Sequence, residues 1–234
     1  MPVLQINSTV PKFITAASLT LAASLAFALS LSDLSNKDAT SGVKAALEKG
    51  ASVAVDKLGV QNGFLNNDKV KIQLPSVLDK AMPLIKMTGQ GKKVDELQVQ
   101  MNHAAESAVA LAKPLLLDAV KNMSVSDAKN ILTGGDTSVT DFFRAKTADP
   151  LGKQFLPIVK NITDKNGLSS KYNGIMSKVG TGHVPADQAT VEGYVTKRAL
   201  DGLYVIIGDE EKAIRADPVG TGSAILGKVF GAIK

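Results

Sequence analysis

The chain has no cysteine, no tryptophan, two histidines and three arginines in its 234 residues. Without cysteine it can hold no disulfide framework, no thiolate-ligated zinc or iron–sulfur centre, and no thiol nucleophile. With only His103 and His183 as imidazoles, a metal site would have to be mostly carboxylate, and no Asp-x-Asp-x-Asp-Gly calcium loop occurs. The basic set is 24 lysines against three arginines at a formal net charge of +5. Sequence-specific nucleic-acid readers favour arginine for bidentate base contacts, so this balance argues against specific nucleic-acid recognition. Gly89-Gln90-Gly91-Lys92-Lys93 fails as a phosphate loop: Lys86 stands where the first glycine is needed, and Lys93 where Ser or Thr is needed. Gly220-Thr221-Gly222-Ser223 has no βαβ context and is neither a nucleophile elbow nor a dinucleotide fingerprint. The sequence therefore implies no cofactor.

What is present is ordinary core material. Hydrophobic residues make up 44% and charged residues 21%, which suits a globular domain rather than a disordered chain. No charge lies between Lys12 and Asp33, and the run from Phe13 to Ser32 is rich in Ala, Leu and Phe. Ala26-Phe27-Ala28 and Ala28-Leu29-Ser30 both match the small-x-small pattern of signal-peptide cleavage. The expectation is a cleaved signal peptide over residues 1–30 and a single all-helical domain over 31–234. That places the protein in the periplasm or otherwise outside the cytoplasm. An uncleaved inner-membrane anchor is the alternative, since roughly 20 apolar residues can span a bilayer.

Helical periodicity runs through the remainder. Val43, Leu47, Gly50, Ala54 and Leu58 form one stripe, with Asp38 as its expected cap and Gly59 as its stop. Val70, Ile72 and Leu74 alternate with polar residues, but no partner strand is evident, so an extended connector is expected there. A helix is expected from Ser76 to before Gly89. After it, Val94, Leu97, Met101, Ala104, Ala108, Leu111 and Leu115 mark a long helix bent or broken near Pro114. Short helices follow at 124–134 and around Phe142-Phe143. Asp149-Pro150 reads as a new helix start, Leu168 opens another helix, and Asp187 is expected to cap the next. The last helix spans about 221–233. The fold class is all-α, a compact bundle-like domain of about eight to ten helices.

Several segments resemble a bacterial family catalogued as domain of unknown function 4197. They are Met101-Asn102-His103-Ala104-Ala105-Glu106, Asp127 to Leu132, Thr140-Asp141-Phe142-Phe143-Arg144, Ala199-Leu200-Asp201-Gly202-Leu203, and Ile214 to Pro218 followed by Lys228-Val229-Phe230-Gly231. The resemblance implies an exported, helical protein and supplies no catalytic residues. Members resembling this chain carry arginine where His103 stands.

Two functions fit these residues. One is a non-catalytic exported protein that binds a small amphiphile, such as a lipid, or a protein partner, with peripheral membrane contact open to it. The other is an enzyme with a carboxylate/arginine pocket, hydrolase-like, in which burial drives acid pKa values apart. The polar candidates for either site are Asn102, Glu106, Asp136, Asp141, Arg144, Glu210, Glu211 and Arg215. An enzyme requires them to converge on one concave pocket. Arg215, just before Pro218, is expected to be buried and to serve helix-end carbonyls together with a carboxylate, Glu106 or Asp141.

Overall fold

The computed structural model describes residues 30–179 and 188–233. The signal-like segment up to Leu29 and the expected cap Asp187 lie outside the described residues. Among the described residues there is no strand, and no helix is long and apolar enough to cross a membrane. A 3₁₀ turn at Leu31–Asp33 precedes α1 (Asn36–Leu58), α2 (Ser76–Met87), α3 (Gly91–Leu111), α4 (Lys113–Asn122) and α5 (Ala128–Leu132). Then come α6 (Ser138–Lys165), α7 (Leu168–Val179), α8 (Val191–Ala216) and α9 (Ala224–Gly231). The all-α reading holds, and Val70–Leu74 is a connector without strand structure.

α8 is the central element, packed most extensively against α6 and α1 and also against α3, α7 and α9. Its buried face runs from Val191 through Val195, Ala199, Leu203 and Ile207 to Ile214. Each large aliphatic side chain removed from water there contributes about 1.5–3 kcal/mol. Helix α1 meets α9 closely, because a Cβ on Gly42 would lie 2.5 Å from Val229 Cγ1. Lys228 on α9 donates to Asp38 on α1 at 2.9 Å, and together with Ser35 it holds that carboxyl below its usual range.

Two local expectations are corrected. Ser35, rather than Asp38, caps α1: its Oγ accepts from Asp38 N–H at 3.0 Å and donates to Asp38 Oδ2 at 2.7 Å. Asp149-Pro150 does not start a helix, because α6 runs through Pro150 and Pro157. Its buried stripe, Val139, Phe143, Thr147, Leu151, Phe155, Val159 and Thr163, keeps an unbroken four-residue spacing across Pro150. Burial of that stripe outweighs the hydrogen bond each proline forfeits.

The Tyr172 hydroxyl on α7 donates to the Gln188 carbonyl at 2.6 Å. Burial pushes its pKa up to about 12, since the phenolate would lose its hydration, whereas an unfolded tyrosine titrates near ~10. Between those values the unfolded chain has released a proton that the folded chain retains. The contribution is complete below about pH 10 and is lost as pH rises through about 12. Tyr172→Phe should be less stable at neutral pH by about 0.5–1.5 kcal/mol. It should also lose less stability than wild type on going from about pH 10 to about 12, as read from urea midpoints.

Candidate functional site

The eight sequence candidates fall at separate places. On α3, Asn102 and Glu106 are both buried and lie one turn apart. Asn102 Oδ1 accepts from the Ile72 N–H at 2.8 Å, and its Nδ2 donates to the Ile72 carbonyl at 2.9 Å and the Gln98 carbonyl at 2.8 Å. An extended segment with no strand neighbour leaves backbone groups to be paired, and one side-chain amide serves both sides of Ile72. The Glu106 carboxylate accepts from the backbone N–H groups of Asn62 (3.0 Å), Phe64 (3.0 Å) and Leu65 (3.1 Å). His103 Nδ1 donates to it at 2.7 Å. The turn around this carboxylate places Asn62 at φ 65°, which asparagine tolerates. At Gly63 a Cβ would lie 2.6 Å from the Lys57 carbonyl oxygen. The loop delivers the fully buried Phe64 ring to α8, where a Cβ on Gly202 would come within 2.6 Å of it.

Glu211 and Arg215 form the second cluster, on α8. Glu211 is buried and accepts from the N–H groups of Val139 (3.0 Å) and Thr140 (2.8 Å) and from the Thr140 hydroxyl (2.7 Å). It supplies, from another helix, the acceptor that the start of α6 lacks. Arg215 donates to Glu211 from Nε and Nη2, to the Leu132 carbonyl at the end of α5 at 2.9 Å, and to Ser138 Oγ at 2.9 Å. Its guanidinium lies over the Phe230 ring, 5.4 Å from the centroid. The expected helix-end carbonyl is present. The carboxylate is Glu211, not Glu106 or Asp141, because the side chain turns back along α8 into the α5–α6 junction.

The remaining candidates stand apart. Asp136 is exposed, and Asp141 is exposed with Thr137 Oγ1 donating to it at 3.0 Å. Glu210 lies 3.9 Å from Lys49. Glu106 and Glu211 are occupied by structural donors, and among the described residues no hollow gathers Glu106, Asp136, Asp141, Glu210 or Glu211 with an arginine. Among the described residues no group of three or more His, Asp or Glu side chains is placed to hold a metal ion.

Arg144 is the exception, because it borders a groove of about 560 Å³ between α6 and α8. Ala148, Gly152 and Leu156 of α6 and Leu200 and Tyr204 of α8 give it an apolar floor. Arg144, Lys153 and Lys197 outnumber Asp149 and Asp201 around it. Arg144 is bonded to Asp201 and lies over the Tyr204 ring at 5.4 Å. Arg198 and Lys197 approach the other oxygen of Asp201 at 3.7 and 3.8 Å. Burial raises the Tyr204 pKa, and its hydroxyl is shared with Thr147 Oγ1 at 3.0 Å. Thr196 also lines the groove but is 5% exposed, and its hydroxyl is sealed from solvent, without a hydrogen-bond partner among the described residues. A second hollow of about 530 Å³ lies on the other side of α6, between α4 and α6.

These clusters all fall within residues 33–231, the stretch matched by the family described as Protein of unknown function (DUF4197). The chain belongs to that family. No curated protein and no solved structure matches it. In this DUF4197 protein the family match thus spans the Glu106 clamp, the Glu211–Arg215 junction and the α6/α8 groove together.

Sequence reasoning missed Asp201, Thr196, Tyr204 and Gly152 of this DUF4197 chain as site residues. A signal existed in Gly152, a glycine in the interior of a 28-residue helix. Gly42 and Gly202 are forced by close packing, but a Cβ on Gly152 would meet only Leu200 Cδ1, at 3.9 Å. Packing therefore does not require this glycine. Gly152→Ala should raise stability by about 0.5–1 kcal/mol, seen as a melting temperature higher by roughly 1–4 °C in calorimetry.

Proposed function

We propose that this is an exported, non-catalytic binding protein whose α6/α8 groove takes a small amphiphilic ligand. One observation carries the reading: a groove of about 560 Å³ between α6 and α8 combines an apolar floor with a charged rim. Sites for small molecules are commonly concavities of about 300–1,000 Å³, mostly apolar with a few placed polar groups. The signal-like N-terminus supports export, and the dispersal of the acidic candidates favours binding over acid–base chemistry.

Native mass spectrometry of gently purified protein tests the reading, combined with thermal melts across a panel of lipids and detergents. The expected result is a co-purifying small amphiphile, or a melting temperature raised by about 5–10 °C at a hundredfold excess over Kd. A clean spectrum with no shift for any amphiphile contradicts it.

A further inference from the structure

We propose that the corner where α2 turns into α3 docks on an anionic lipid surface, with Leu84 and Met87 entering the interface and Lys80, Lys86, Lys92 and Lys93 meeting the headgroups. The proposal is independent of the α6/α8 groove, which none of these residues lines. Met87 is 85% exposed and Leu84 63%. Three residues apart on α2, they form one projecting apolar pair, turned away from the face that buries Leu78 and Ile85. The chain reverses directly after them, through Gly89 at φ 72° into α3 at Gly91. The pair therefore sits at the turn between two helices. Beside Leu84 opens a hollow of about 230 Å³, walled by Ala81, Ile85, Val94 and Ile175, so carbon continues inward from the exposed pair.

The charge around this pair has one sign. From Lys80 to Val94 the sequence carries four lysines and no acid. All four are exposed, and among the described residues none of them forms an ion pair. Helix α7, packed against both α2 and α3, adds the exposed Lys171 and no acid. The nearest acids in sequence stand back from the corner. Asp79 lies at the start of α2, about 12 Å of helix from Met87 at ~1.5 Å per residue, and Asp95 and Glu96 lie in the second turn of α3. A second copy of this chain fits the corner poorly, since pairing would set lysine against lysine. A stable protein interface takes about 800 Å² from each partner, more than two projecting side chains supply. A lipid surface asks for no fixed shape. Long lysine stems carry their ammoniums to the phosphates while the apolar tips enter the acyl boundary.

Co-sedimentation of the purified chain with vesicles tests this, using phosphatidylglycerol mixed with phosphatidylcholine and phosphatidylcholine alone. The chain should partition onto the anionic vesicles far more than onto the neutral ones, and added salt should release it. The triple change Lys86→Gln, Lys92→Gln, Lys93→Gln should weaken binding roughly hundredfold, at about fivefold per lysine. Leu84→Ser with Met87→Ser should weaken it at least about tenfold. Val219→Ser, which alters an apolar side chain 79% exposed beyond α8, should change nothing. All these side chains are exposed, so the variants should melt with wild type. They share one N-terminus, so differences among them read the corner alone. Because the chain has no tryptophan, Met87→Trp supplies a lone fluorophore, whose emission should move to the blue on anionic vesicles while that of Val219→Trp does not. Equal partition onto neutral vesicles, binding that persists in both the lysine and the serine variants, or no binding to any vesicle would overturn the proposal. Self-association that Leu84→Ser with Met87→Ser abolishes would overturn it in favour of a second copy.

Discussion

Glu211→Ala should lower the unfolding free energy by about 3–5 kcal/mol, the effect of stranding one partner of a buried charged pair. Glu211 is 2% exposed and holds two backbone N–H groups at the start of α6, the Thr140 hydroxyl and the Arg215 guanidinium. Removing it leaves the first turn of α6 without its acceptor and Arg215 with only Leu132 and Ser138. Glu211→Gln keeps an acceptor oxygen and should cost less, about 1–3 kcal/mol. In a double-mutant cycle, Glu211→Ala with Arg215→Met should cost less than the sum of the single changes, since the stranded charge is gone. Urea denaturation of the four proteins reads all of this. A Glu211→Ala variant within about 0.5 kcal/mol of wild type would show the junction to be decoration.

Glu106→Ala should cost about 2–4 kcal/mol, because three loop amides lose their common acceptor and the Phe64 N–H is buried. The effect should also be local. Phe64 is seated on Gly202 by the loop that Glu106 curls, so hydrogen exchange should accelerate most at the Asn62, Phe64 and Leu65 amides. His103→Ala removes one donor to the same carboxylate and leaves the three amides bonded, so it should cost under about 1.5 kcal/mol. Equal acceleration throughout the protein would mean that Glu106 acts on global stability and not on this loop.

The helices were legible because each repeats its own apolar stripe within a few turns. Gly59 as a stop, the break at Pro114 and the unpaired connector around Ile72 all follow from residues adjacent in sequence. The length of α6 was misread because Asp-Pro is a local start signal, while the stripe that overrides it acts only once Phe143, Leu151 and Phe155 have a core to enter. The polar clusters were legible as residue types but not as partnerships. Glu211 meets Val139 and Thr140 across 71–72 residues of sequence, and Glu106 meets Phe64 across 42. No spacing rule connects such pairs. The groove was hidden for the same reason, since its two walls belong to helices whose antiparallel register is set by the fold.

The most direct measurement is amide chemical-shift mapping of the isotope-labelled protein during titration with dodecanoate. Saturable shifts should concentrate at Gly152, Lys153, Gly193, Thr196 and Tyr204, the lining of the α6/α8 groove, while Phe64 and Thr140, held by Glu106 and Glu211, stay in place. Saturable shifts centred on the α4/α6 hollow around Met123 and Leu151, or no saturable shifts at all, would contradict the account.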